Sequence, residues 1–393
     1  MKRIVYTLTA LLVLASCSPK PKTAEEIFNE ESSGVVLILN SFYYRMELPN
    51  GNYIYFKGLD EEGELDGITP NKEDIEENQN VVSGTGFFVD DKGTIMTNRH
   101  VAEPVLDKVA AKKSYRGILH LFKQLCSYTM SQLSDEYDEL NSQISALESA
   151  KKQSYYYNSY DGNYYWDTEK INNINASISE LEEKKKELKE QYNETSEYRD
   201  NVSNLTDLDD MEIEAVCTIG IAYNDTHVTD KSDFLSKNPC VVVKVSDKKD
   251  VDLALIQLKS KVTPINRHVF SVASKNKGNK TIIDKVKYVL SDDDEDEGLK
   301  IGAPLHMIGF NAGVTLAVTN MGIQAQLTSG NVTQTPTYDR LLYDIATIQG
   351  SSGSPVVDEQ GNLVAVNYAK TTLSDNFNFG IPEDRIKEFM HWK

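Results

Sequence analysis

Residues 350–355 read Gly-Ser-Ser-Gly-Ser-Pro, two hydroxyls between two glycines and a third just before a closing proline. Acyl-transfer chemistry needs such a segment. A nucleophilic hydroxyl must sit in a tight turn whose backbone N–H groups also face the oxyanion that develops on the substrate. Glycines on both sides permit that turn and let a carbonyl approach closely. The spacing Gly-x-Ser-Gly-x-Pro puts Ser352 in the nucleophile position, with Ser351 and Ser354 as flanking alternatives. Pro355-Val356-Val357 then starts a strand. A serine nucleophile needs a general base and a group to orient that base, so the segment has meaning only if a histidine and an acid occur in matching contexts.

Two upstream stretches supply them. Val82-Ser83-Gly84-Thr85-Gly86-Phe87-Phe88-Val89 is followed by Thr94-Ile95-Met96-Thr97-Asn98-Arg99-His100-Val101, and farther on comes Asp252-Leu253-Ala254-Leu255-Ile256. With Tyr343–Gly350 leading into the serine, these segments resemble the trypsin-like serine proteases, especially the bacterial HtrA-type group. The order His, Asp, Ser is the chymotrypsin-like one. The resemblance implies a mostly β fold: a chymotrypsin-like double β-barrel whose triad is His100, Asp252 and Ser352. It also implies an oxyanion hole from the N–H groups of Gly350 and Ser352. Ala346 falls at the base of the primary specificity pocket, with Asn367 and Tyr368 helping to line it. A non-acidic residue at Ala346 argues against cleavage after Lys or Arg and for a small or medium apolar residue. HtrA-type proteases generally carry a C-terminal PDZ domain, and none is expected here.

The elements that must position these residues can be traced along the chain. Lys2 and Arg3 precede a short apolar run, Ile4–Leu14, too short to span a bilayer comfortably. Leu14-Ala15-Ser16-Cys17 resembles a bacterial lipobox, so 1–17 reads as a lipoprotein signal and Cys17 as the lipidated residue. Ser18 after it fits an outer-membrane anchor facing the periplasm, with surface display the alternative. Residues 18–33 read as a tether. Gly34–Leu39 reads as a buried strand and Leu59–Asn80 as an acidic loop. The first barrel is expected over 34–106 and 206–272. The second, with a terminal helix over Glu383–Trp392, is expected over 273–393.

Between Pro104 and about residue 206 the pattern changes. Leu133, Tyr137, Leu140, Ile144 and Leu147 recur at steps of four and three, as do Ile171, Ile174, Ile178, Leu181, Leu188 and Tyr192, with Lys185 interrupting. That is a coiled-coil seam, and residues 107–205 read as an inserted antiparallel helical hairpin. Its turn, Ser154–Trp166, carries six tyrosines and a tryptophan. Two readings stand: a recognition surface for a protein partner, since Tyr and Trp give large rigid contact area, or a self-packed corner.

Composition excludes some classes. The 393 residues carry a formal net charge of −19 and no strong basic run in the mature part, which argues against nucleic acid as a partner. The acidic run Asp292–Glu297 lacks the spaced ligands of a calcium loop and reads as solvated. No Cys/His cluster has metal-site spacing, so neither metal nor cofactor is expected. His306, in an apolar run, reads as a core or strand-face histidine rather than a catalytic one. Cys217 and Cys240 lie in strands and could pair. The sequence thus predicts a serine endopeptidase of the cell envelope, acting on protein or peptide substrate and tied to the membrane by lipid. The competing expectation is a latent or inactive protease-like scaffold that binds an envelope partner through its helical arm.

Overall fold

The computed structural model describes residues 20–203, 205, 208, 210–248, 250–272, 299–370 and 378–391. Cys17 and the acidic run Asp292–Glu297 lie outside them. In chain order the elements begin with α1 (Ala24–Glu31), β1 (Val35–Glu47), β2 (Tyr53–Phe56), β3 (Gly58–Leu59), β4 (Leu65–Asp66), α2 (Lys72–Glu77), β5 (Asn80–Phe88), β6 (Thr94–Thr97) and α3 (Arg99–Ala102). The inserted segment follows with α4 (Lys108–Lys152), β7 (Tyr155–Asn158), β8 (Asn163–Trp166) and α5 (Thr168–Ser203). Then come β9 (Ile213–Tyr223), α6 (Lys231–Lys237), β10 (Pro239–Val245), β11 (Ala254–Leu258), β12 (Pro304–Gly309), α7 (Val314–Ala317), β13 (Val318–Thr319) and β14 (Gly322–Ile323). The chain closes with β15 (Gln326–Asn331), β16 (Leu341–Tyr343), β17 (Pro355–Val357), β18 (Leu363–Lys370), β19 (Asn378–Pro382) and α8 (Glu383–His391).

The chain divides into two compact units. One comprises Met1–Tyr43, Glu76–Val105 and Ala215–Lys393; the other comprises Tyr44–Ile75 and Leu106–Glu214. The first unit holds two antiparallel barrels. In one, the strand order β1-β5-β6-β11-β10-β9 is closed by pairing of β9 with β1. In the other, the order is β15-β12-β17-β18-β19-β16, and a bridge between Val332 and Tyr343 joins the two ends. Closure removes the exposed sheet edges. The chymotrypsin-like double β-barrel predicted from the motifs is the fold observed.

The apolar patterns account for this packing. Gly34–Leu39 is hydrophobic at consecutive positions because both faces of β1 are covered. Val36 and Ile38 point into the first barrel with Phe88, Ile95, Ile219, Ala254 and Ile256, while Val35, Leu37 and Leu39 join a cluster with Phe310, Val357, Val366 and Ile381 of the second barrel. A strand buried on two faces loses the usual alternation. The second barrel has its own interior of Leu305, Met307, Val332, Leu341, Tyr343, Val356 and Ala365. His306 is buried, as expected, with Nδ1 at 2.8 Å from Ser329 Oγ.

The second unit is built on α4 and α5, an antiparallel pair. Leu140 and Ile144 of α4 and Ile174 and Leu188 of α5 are buried along the predicted seam, and Cys126 and Met130, also buried, extend it toward the start of α4. Lys185 fits that seam because its Nζ lies 5.3 Å from the centre of the Tyr137 ring, a cation–π contact. The turn is itself a β-hairpin, β7 with β8, pairing Tyr155 with Trp166, Tyr156 with Tyr165 and Tyr157 with Tyr164.

Several expectations are corrected. Residues 24–31 of the predicted tether form α1, with a Thr23/Glu26 capping box and Ile27 fully buried; two such reciprocal bonds stabilise a helix start. Residues 44–75 belong with the helical unit rather than the first barrel: Leu65 N–H donates to Ser114 Oγ at 2.9 Å, and that hydroxyl donates to Glu64 at 2.6 Å, fastening the base of α4. The expected loop 59–80 contains β4 and α2. Cys217 and Cys240 are free thiols rather than a pair, and Cys126 is free as well.

Candidate active site

The β6–β11 pairing brings the first two site residues together. Thr97 lies opposite Ala254, so α3, which follows β6, meets the residues that precede β11. Asn98 is fully buried, and its Nδ2 donates to the Asp252 carbonyl at 2.8 Å. His100 N–H donates to Asp252 Oδ1 at 3.1 Å, and His100 Nδ1 stands 2.6 Å from Asp252 Oδ2. The carboxylate thereby fixes which imidazole nitrogen carries the proton and leaves Nε2 free to act as a base. The one-turn helix is held from behind by Asn40 of β1, whose Nδ2 donates to the carbonyls of Val101 and Ala102, both at 3.0 Å. Arg99 Nη1 adds a bond to the Ser246 carbonyl at 3.0 Å. The His100 and Asp252 side chains keep 38% and 24% of their surface exposed, so the pair opens to solvent.

The loop 348–354 treats its three serines differently. Ser351 is buried; its Oγ donates to the Ile348 carbonyl at 2.7 Å and accepts from Asn367 Nδ2 at 3.2 Å. Ser354 is also fully buried. Ser352 alone is half-exposed. The backbone sorts itself in the same way. Ser351 N–H donates to Ile348, Gly353 N–H to Asn367 and Ser354 N–H to Ser351. Among the described residues, the N–H groups of Gly350 and Ser352 have no acceptor. These are the two donors expected of an oxyanion hole. Gly353 has a φ of +86° and lies so close to β5 that a Cβ there would come within 2.1 Å of the Thr85 carbonyl. Only glycine allows both. No hydrogen bond joins His100 to Ser352 among the described residues; such contacts often tighten only when substrate enters.

The pocket residues separate into two groups. Ala346 is exposed. Its neighbours are braced by Asn378, a buried residue that accepts from Thr347 Oγ1 and donates to the Ile345 carbonyl, each at 2.6 Å. Asn367 is buried and acts as a brace: it accepts from Tyr343 Oη at 2.8 Å and donates to the Ser351 carbonyl at 3.0 Å. Tyr368 is half-buried and is the extra residue of a bulge between Asn367 and Ala369, a device that re-aims a side chain. It borders a cleft of about 470 Å³ that also includes Asp250, Asp339, Arg340 and Leu342. Burial pushes its phenol above the usual range, and the nearby carboxylates of Asp252 and Asp250 push the same way.

Sequence reasoning missed the supporting residues Asn40, Asn98, Thr85 and Asn378. Their one signal was a short polar side chain inside an apolar strand or at its end, where burial requires a hydrogen-bond partner. Among the described residues no group of His, Cys, Asp and Glu could hold a metal ion.

Residues 220–366 match the family model of the trypsin-like peptidase domain. That span includes Asp252 and Ser352; His100 precedes it, on the far side of the helical insertion. Residues 1–18 match the prokaryotic membrane lipoprotein lipid attachment site. Comparison with curated proteins gives no match. Among solved structures, the crystal structure of the serine endoprotease from Yersinia pestis is similar at 12% identity and a TM-score of 0.39, covering 95% of this chain and 66% of that one.

Proposed function

For a chain that carries a trypsin-like peptidase domain and a lipoprotein attachment site, we propose a serine endopeptidase of the bacterial cell envelope in which His100, Asp252 and Ser352 act as one triad. The observation that carries this reading is the 2.6 Å contact of His100 Nδ1 with Asp252 Oδ2, in the same unit as a loop that exposes one of its three serines and leaves two N–H groups unclaimed. Ser352 Oγ attacks the peptide carbonyl as His100 Nε2 takes its proton. The negative charge that forms on the carbonyl oxygen is met by the N–H groups of Gly350 and Ser352. His100 returns the proton to the leaving amine, and Asp252 stabilises the imidazolium in between. Water then repeats the sequence on the acyl-enzyme.

The substrate is a polypeptide, and the side chain N-terminal to the cut is small or medium and apolar, because Ala346 offers no charge to a basic one. Lipid on Cys17 holds the protein to a membrane, with the outer membrane and its periplasmic face as the expected address. The hairpin at the end of the helical arm is a recognition surface for protein. Tyr155, Tyr156, Tyr157, Tyr160, Tyr164 and Trp166 each keep more than half of their surface exposed, even though Tyr155 meets Tyr164 and Trp166, and Tyr157 meets Tyr164, across the hairpin.

The test is labelling of the mature protein with a fluorophosphonate probe beside Ser352→Ala. The parent is expected to label, and peptide hydrolysis in the variant to fall by about 10⁶-fold, the scale of triad removal in another serine protease. Persistent labelling of the variant would move the nucleophile to another serine. An unlabelled parent would favour the latent or non-catalytic scaffold.

A further inference from the structure

Thr85 uses every polar atom it has, and it donates both of its hydrogens to the nucleophile loop. Its N–H donates to the Ser352 carbonyl at 2.8 Å, and its Oγ1 donates to the Gly350 carbonyl at 2.8 Å. The same hydroxyl accepts from Phe310 N–H at 3.0 Å, just past the end of β12. Its own carbonyl accepts from Thr97 Oγ1 at 2.7 Å. The residue is fully buried, so these bonds are made away from solvent.

We infer that Thr85 is a positioning residue that keeps the oxyanion loop in its competent shape, an inference that rests on the triad reading above. The loop offers its two free N–H groups only if the peptide planes around Ser351 keep their orientation. The plane between Gly350 and Ser351 can be turned by rotation at Gly350, a residue with a φ of +99° and no side chain to resist the turn. Thr85 grips the carbonyls of Gly350 and Ser352, one on each side of Ser351, and so resists that rotation from β5. The hydroxyl also ties the loop to the second barrel through Phe310, so one side chain fixes the loop against both barrels. Valine has nearly the same shape but cannot donate to Gly350 or accept from Phe310. Serine keeps both bonds and loses only a methyl group.

The experiment compares the parent with Thr85→Val and Thr85→Ser, using two readouts. The first is the rate of fluorophosphonate labelling, separated into the maximal inactivation rate and the probe concentration for half-maximal rate. The second is amide hydrogen exchange of the peptide covering 346–357, repeated in a Ser352→Ala background. Thr85→Val is expected to lower the maximal rate about 10²-fold, the scale of a small misplacement of reacting groups, with the half-maximal concentration unchanged. Exchange in 346–357 is expected to rise, and Thr85→Ser to restore both. If Thr85→Val does not fold, Thr85→Ala is expected to behave the same way with less steric demand. Unchanged loop exchange in a folded variant lacking the hydroxyl overturns the inference, as does a serine variant as impaired as the valine one. An unlabelled parent whose loop still loosens on hydroxyl removal would sink the triad reading and leave the positioning role standing.

Discussion

At the scale of single residues, the site is a set of ordinary groups made effective by their bonds. Asp252 orients His100 through two contacts, one to the backbone N–H and one to Nδ1. Asp252→Asn keeps the shape but favours the wrong tautomer, and kcat for peptide hydrolysis is expected to fall about 10⁴-fold. A loss below tenfold, measured by steady-state kinetics at neutral pH, would remove Asp252 from the triad. Asn367 is the opposite kind of residue, buried and structural. Asn367→Leu leaves the Tyr343 hydroxyl without its partner in the core and removes one of two donors to the Ser351 carbonyl, which keeps Ser354 N–H. The expected cost is about 3 kcal/mol in urea denaturation, since each buried group left unpaired costs about 1–3 kcal/mol. A change within 0.5 kcal/mol, roughly what an ordinary surface substitution gives, would mean that the brace is dispensable.

At the scale of elements, α1 carries a titratable latch. Glu31 closes the helix and is almost fully buried, and its Oε2 has no hydrogen-bond partner among the described residues. Burial pushes its carboxyl up to about 7 from an ordinary 4.5; Glu30 and Asp358 push the same way, and Lys22 opposes them. The folded chain therefore holds a proton that the unfolded chain has already released. Stability falls as pH rises from about 4.5 to about 7 and levels off above, by a total of about 3 kcal/mol at 1.36 kcal/mol per pH unit. Glu31→Gln is expected to remove that slope and to melt higher than the parent at pH 8. Parallel melting curves for the two proteins between pH 5 and 8 would show that Glu31 is not the group responsible. The β7–β8 hairpin belongs to this scale too. Replacing Tyr155–Trp166 with a short glycine-containing turn is expected to leave fluorophosphonate labelling unchanged while weakening turnover of protein substrates. Equal turnover of proteins by both chains would make the hairpin merely a turn.

At the scale of the whole molecule, the helical unit divides the sequence of the catalytic unit, so that His100 and Asp252 are close in space yet separated by α4 and α5. Lys185 over Tyr137 marks a level of the arm at which both helices could be cut back together. Replacing residues 138–184 with a short Gly/Ser loop keeps the lower seam, including Cys126, Met130 and Leu188. That chain is expected to fold and to label with fluorophosphonate as fast as the parent. Loss of labelling in a shortened chain that still melts cooperatively would give the arm a part in catalysis.

Much of this was legible in the sequence because it rests on local constraints. Glycines around Ser352 mark a turn, Asp252 stands at the start of an apolar strand, and the heptad spacing from Leu133 to Leu147 can be satisfied only by a helix with a partner. The signal peptide is likewise a matter of composition over a short span. What tertiary structure alone decided is where distant polar groups find their partners. Nothing near Thr85, Asn40 or Asn378 in the chain says that their partners are the carbonyls of Gly350, Val101 and Ile345, because those bonds join residues far apart in sequence that only barrel closure brings together. The same holds for α1, read as tether because its short polar sequence hides one buried face, and for residues 44–75, whose attachment to α4 includes the bonds of Ser114 with Glu64 and Leu65. Local sequence chooses the elements and the reactive groups, whereas burial chooses the bonds that hold them in place, and burial is a property of the assembled chain.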